Sequence, residues 1–308
     1  MNAMPPTPCV GICKMDEASG LCLGCARTVD EIGEWRDASP DVQRSIWASL
    51  AQRRSRLNMQ SYRLPWRADE IGAFIEASIE KRAGAWAMGV YGATAEFMIG
   101  ADEVAEIDRD ANAVVARTPR AAIRLLKHPK TIAFAIGQIP GEPAPRAIGL
   151  ALPRGRVDLP GEAGLTRLGP DAAALKACDA DGIWYDLGLG RKATRFSIRC
   201  TDQMLEKALD SVSGAALQDI LKSVGHDILR GSPNRVIESG LGRVEIFSAV
   251  PAPGDISPDG PHTRLLPNLL DLGRDTPPDW DLDPVFAPGA ILTLNPGVIL
   301  ADLLPSSR

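Results

Sequence analysis

Apolar positions fall at helical spacing in three stretches near the start of the chain. Thr28-Val29-Asp30-Glu31 sets a hydroxyl three residues before a glutamate, a capping box that predicts a short helix running to Trp35. Ser39-Pro40-Asp41 then offers an N-cap, a proline at the first helical position and an early acid. The helix predicted there carries Val42, Ile46, Trp47 and Leu50 on one side and ends in Arg53, Arg54 and Arg56, cations that suit the negative end of its dipole. A third helix is expected over residues 69–82, with Ile71, Phe74, Ile75 and Ile79 on one face.

From residue 85 to about 199 the pattern changes to short β-type runs broken by Gly, Pro, Asn and Asp. These cover residues 86–91, 113–117, 121–126, 131–137, 147–152, 183–187 and 195–199, a cadence that predicts an antiparallel meander instead of strand–helix alternation. Helices are expected at 202–212 and 215–224, and strands at 235–238 and 243–249. Beyond them lies a Pro- and Asp-rich tail containing Asp271, Asp275, Asp279, Asp281 and Asp283, expected to run extended along the surface. The pattern as a whole is α+β: a small module over residues 1–57, a linker over 58–67 and a larger domain over 68–308. Read as tethered, the module is expected to be removable without unfolding the rest.

Composition narrows the classes. The 308 residues are 45% hydrophobic and 24% charged, which excludes wholesale disorder and a fibrous chain. Aromatic residues make up only 5%, so the core is expected to be aliphatic and alanine-rich. A net charge of -5 argues against a general nucleic-acid binder, which needs a basic face. No apolar run approaches the roughly 18 residues needed to span a bilayer. Residues 1–8 hold no basic residue followed by an apolar stretch, so the expected location is the cytoplasm, where thiols stay reduced.

That compartment governs the reading of the six cysteines. Four of them are spaced Cys9-x3-Cys13-x8-Cys22-x2-Cys25, two close pairs whose sulfurs can converge on one ion. Thiolates suit tetrahedral zinc or an iron–sulfur cluster. Gly11, Gly20 and Gly24 leave room for backbone amides to turn towards sulfur. An all-cysteine shell has no open coordination position, so the expected metal is structural zinc or iron–sulfur in type and not catalytic zinc. Cys178 and Cys200 read as ordinary thiols. The stretch Pro8-Cys9-Val10-Gly11-Ile12-Cys13, then Gly20-Leu21-Cys22-Leu23-Gly24-Cys25-Ala26-Arg27-Thr28, Glu31-Ile32 and Trp35, resembles a short bacterial family, domain of unknown function 1289, often labelled a predicted Fe–S protein. The resemblance implies a small metal-binding module and no particular activity.

The larger part resembles a second, uncharacterised proteobacterial family. Ile183-Trp184-Tyr185-Asp186-Leu187-Gly188-Leu189-Gly190, the run from Arg235 to Glu245, and Gly260-Pro261-His262-Thr263-Arg264-Leu265-Leu266-Pro267 carry the likeness. The densest polar cluster here is Glu238, Arg243, Glu245, His262, Arg264 and Arg274. On neighbouring strands and a covering loop, Glu238, Arg243, His262 and Arg264 could bind a carboxylate or phosphate through arginine forks. The alternative is a set of structural ion pairs around one hydrogen-bonded histidine. His-x-Arg is not by itself a metal site, because arginine does not ligate. His128 and His226 read as surface residues, and no nucleophile elbow, P-loop or kinase signature is present. The leading expectation is a non-enzymatic metal-binding protein whose α+β domain takes an unidentified protein partner or a small anionic ligand. An iron–sulfur redox or metal-homeostasis role, and an enzyme using the Arg/Glu/His cluster, remain the alternatives.

Overall fold

A computed structural model describes residues 4–138, 145–157, 159, 161–251, 260–278 and 286–304. The first two helices form where their caps predict them. The capping box of Thr28 and Glu31 opens α1 (Val29–Gly33), and the Ser39 side chain accepts from the Val42 amide to start α2 (Pro40–Arg56). Ile46 and Leu50 of α2 pack on Ala26, immediately behind Cys25. The expected third helix is α3 (Ala68–Glu80), buried through Ile71, Phe74, Ile75 and Ile79.

The remainder is α+β, built on two antiparallel sheets packed face to face, with six α-helices in all among the described residues. The eight-stranded sheet contains β4 (Glu106–Arg109), β5 (Ala113–Arg117), β6 (Ala121–Leu126), β9 (Thr166–Pro170), β10 (Ile183–Asp186), β11 (Thr194–Cys200), β12 (Asn234–Ser239) and β13 (Gly242–Ile246). Its order, β4-β5-β6-β13-β12-β11-β10-β9, is two meanders joined at β6–β13. The seven-stranded sheet is not a meander: its order is β1-β7-β8-β15-β2-β3-β14. Its members are β1 (Ser61–Arg63), β2 (Gly84–Val90), β3 (Ala93–Phe97), β7 (Ile132–Gln138), β8 (Pro145–Pro153), β14 (His262–Leu265) and β15 (Phe286–Leu294). Alternation along each strand sends Trp86, Met88, Phe97, Leu150 and Leu292 inward to meet Ile123, Phe196, Ile237 and Val244 from the other sheet. Two further helices, α4 (Gln203–Asp210) and α5 (Leu217–Gly231), add Leu205, Leu209, Ile220 and Val224 to this core. A short α6 (Pro267–Leu270) follows β14.

Two segments differ from the sequence expectation. Residues 58–67, expected as a linker, hold β1, which pairs with β7 and adds a strand to the sheet edge. The tail expected along the surface instead sends β15 between β8 and β2, with Leu292 fully buried. Its Pro288 and Gly289 disguise it: the register shifts between Pro288 and Ala290, a bulge that accommodates the proline. Asp279, Asp281 and Asp283 lie outside the described residues. No helix among the described residues is long and apolar enough to cross a membrane.

Candidate functional site

The four cysteines sit on two facing loops. Val10, between Cys9 and Cys13, is buried against Phe134, Ile136, Ala147 and Phe286 on the outer face of the seven-stranded sheet. The Trp47 indole donates to the Pro6 carbonyl (2.9 Å) and Arg63 Nη1 to the Cys9 carbonyl (3.2 Å), which holds the first loop between α2 and β1. The second loop is anchored by a single antiparallel bridge between Met15 and Cys22 and by the Leu23 amide donating to the Lys14 carbonyl (2.8 Å). Gly24 lets the loops touch, since a Cβ there would lie 2.4 Å from the Ile12 carbonyl oxygen. After Cys25 the chain turns through Ala26 at φ +61°, a left-handed conformation costly for any residue with a Cβ. Its amide donates to the Cys22 carbonyl (2.7 Å), closing the turn that carries both later sulfurs.

Donors point at these sulfurs. The Gly11 amide donates to Cys9 Sγ (3.2 Å) and Arg27 Nε to Cys25 Sγ (3.4 Å). The Cys22 thiol donates to the Ile12 carbonyl (3.4 Å). Burial, then the neighbouring sulfurs of Cys22 and Cys9, hold the Cys13 thiol above its ordinary pKa. The Cys25 thiol is likewise pushed up, chiefly by burial, against the opposing pull of Arg27. Among the described residues, no group of three or more His, Cys, Asp or Glu side chains is arranged to hold a metal ion.

The charge around the thiols is lopsided. Arg27 is 2% exposed and stacks over Trp35 at 4.9 Å; Arg54 is 8% exposed, over Tyr62 at 4.3 Å and Trp47 at 5.2 Å. Neither these nor Arg63 forms an ion pair with a carboxylate among the described residues, although Arg53 pairs with Glu31 in a two-pronged contact. Arg27 Nη1, Arg54 Nε and Arg63 Nε are buried with no hydrogen-bond acceptor among the described residues. Desolvation pushes the pKa of Arg54 down to about 10. A buried guanidinium without a carboxylate partner is expensive, and the sulfurs of Cys25 and Cys9 are among the groups near Arg54 and Arg63 that can become anions.

The polar cluster expected in the larger domain is split between the two outer faces of the sandwich. Glu238 and Arg243 are cross-strand partners on β12 and β13, facing away from the core-lining Ile237 and Val244. Arg243 donates to Glu245 (2.7 Å), to Glu238 (3.2 Å) and to Asp171, so its fork is committed to the chain's own carboxylates. Arg199 joins by donating to Asp171 (2.8 Å) and pairing with Glu245 (2.7 Å), and all four side chains of this quartet are fully buried. Glu238 also reaches Arg195 (3.2 Å), and both arginines stack on the Trp184 ring, at 5.1 Å for Arg195 and 4.9 Å for Arg243. Nothing in the sequence ties Asp171, Arg195 and Arg199 to this cluster, because only the register brings the strands of Arg195 and Arg199 beside β12.

His262 and Arg264 lie on β14 of the other sheet, opposite Glu96 and Thr94 of β3, and so share the outer face there. The His262 ring is held at both nitrogens: Nδ1 lies 2.8 Å from the Gly260 carbonyl, and Arg264 Nε donates to Nε2 (3.1 Å). A carbonyl only accepts and a guanidinium only donates, which assigns the neutral tautomer with its proton on Nδ1. The histidine therefore orients Arg264 and keeps no lone pair for a substrate or a metal. Arg264 lines a cavity of about 360 Å³ beside β2 and β15. Arg274 belongs to the segment after α6 that covers this face. Elsewhere, Cys178 is exposed, whereas burial first, then nearby Glu206 and Asp202, push the Cys200 thiol up to about 12.

Fold and site define an α+β protein of two antiparallel sheets carrying a small cysteine-bearing N-terminal module. Residues 70–296 match the model of a family of unknown function (DUF6925), and the chain belongs to that family. Residues 7–54 match a second model, a protein of unknown function (DUF1289), in agreement with the cysteine motif. No curated protein and no solved structure matches the chain.

Proposed function

We infer that this is a metal-binding protein in which Cys9, Cys13, Cys22 and Cys25 together take one metal centre, structural zinc or an iron–sulfur cluster. The observation that carries the reading is the set of three arginines at the cysteine loops, two of them nearly buried, that lack carboxylate partners among the described residues. Four thiolates around a divalent ion leave a net negative charge, which Arg27, Arg54 and Arg63 would balance. Binding requires the thiols to lose their protons and the loops to draw together, so metal affinity and local folding become one free energy. The Gly11 amide and Arg27 Nε already donate to sulfur, the contacts that stabilise bound thiolates. A bound metal would supply a rigid clasp; the chain's own residues seat it, with Val10 fixing the first loop to the sheet and Ala26 turning the second.

The test is the metal content of the full-length protein purified without air. The expected result is one stoichiometric centre: colourless protein with zinc, or brown protein with iron and sulfide absorbing near 400 nm, roughly the general band of such clusters. Serine at both Cys13 and Cys25 should abolish it. Absence of zinc and iron from the wild type, or full metal retention in the double variant, would overturn the reading.

A further inference from the structure

The cavity beside Arg264 is lined by none of the four N-terminal cysteines. Its floor is the outer face of β2 and β15, where Ala87 and Gly89 are too small to cover the sheet and Ile291 forms one wall. Its roof is the segment after β14, contributing Leu266, Leu269 and Pro277. That roof is tied down. The Leu266 amide donates to the Gly92 carbonyl (2.7 Å) and the Tyr91 amide to the Asp275 carbonyl (3.0 Å). Arg191 reaches the carbonyls of Gly273 (2.8 Å) and Leu270 (3.1 Å), and Arg154 pairs with Asp275 (2.6 Å). A volume of about 360 Å³ under a pinned roof falls within the range of pre-formed small-molecule sites.

Two charged residues line this cavity, Arg264 and Asp275. Asp275 is engaged by Arg154, which does not itself line the cavity, whereas Arg264 forms no ion pair among the described residues. Its Nε is used to grip the neutral His262, whereas its two terminal nitrogens make no hydrogen bond or ion pair among the described residues. An arginine held at Nε by a histidine and lining a largely apolar hollow fits a planar anion with an apolar body.

We propose that this cavity binds an apolar monocarboxylate, its carboxylate forked by Arg264 and its hydrocarbon laid along the Ala87–Gly89 floor. Octanoate is the probe, titrated into the full-length protein by isothermal calorimetry with 1-octanol as the uncharged control. Saturable one-to-one octanoate binding is expected. It should weaken about tenfold or more in Arg264→Gln, the loss typical of a charge-assisted hydrogen bond, and part of it should return in Arg264→Lys. Ala87→Leu, which fills the floor, should weaken binding without touching the charge. Arg264 is exposed, so Arg264→Gln should keep the wild-type circular dichroism spectrum and remain decisive if the Ala87 variant folds poorly. Failure of octanoate to saturate the protein, equal affinity for 1-octanol, or unchanged affinity in Arg264→Gln would each overturn the proposal.

Discussion

Asp186 ends β10 with its carboxylate almost wholly out of water. Burial pushes its pKa above the ordinary value of 3.8, while the amides of Gly188 (2.9 Å) and Glu162 (3.3 Å) and the Arg195 guanidinium (3.3 Å) pull the other way. A folded-state pKa above the unfolded one means that the protonated form favours folding. That contribution is complete below the unfolded value of 3.8 and is lost as pH rises through the folded value. Asp186→Asn cannot titrate. Its stability relative to wild type should therefore rise with pH across this window, read as urea midpoints over a pH series. Parallel curves for the two proteins would show that the carboxylate is not strained by burial. Elsewhere in the interior, Arg199 and Arg243 are each met directly by Asp171 and Glu245.

At the scale of elements, the N-terminal segment is seated, not merely tethered. Val10 fills a hollow between Phe134, Ile136, Ala147 and Phe286, and Arg54 Nη2 reaches the Arg63 carbonyl (3.5 Å). Val10→Asp should cost about 2 kcal/mol or more through lost burial and an unpaired charge, seen as a lower urea midpoint of the whole protein. An unchanged midpoint would return the segment to the status of an appendage. Local chemistry made much of this legible in the sequence. The caps at Thr28 and Ser39 place α1 and α2, and turn residues bracket β5 and β6 at the expected bounds. What stayed hidden depends on distant partners. Three-residue β1 is a strand only because β7 accepts it, and β15 carries a proline and a glycine yet lies mid-sheet because a bulge absorbs them. Neighbourhood in sequence likewise suggested that Glu238, Arg243, His262 and Arg264 converge, but strand alternation and sheet membership put the two pairs on opposite outer faces.

For the whole molecule, the outer face of the seven-stranded sheet ties the two ends of the chain together. The cysteine loops cover it over β7, β8 and β15, and the segment after β14 roofs it over β2 and β15. Sheet packing supplies the stability of the larger domain, whereas the cysteine loops have few apolar side chains beyond Val10 and Leu21 and need another source of order. In the reading proposed above, a metal held by the four cysteines would be that source. X-ray absorption at the metal edge of anaerobically purified full-length protein tests this most directly. The account predicts a first shell made only of sulfur, four per metal at about 2.3 Å. A shell containing nitrogen or oxygen donors, or protein with no metal to excite, would contradict it.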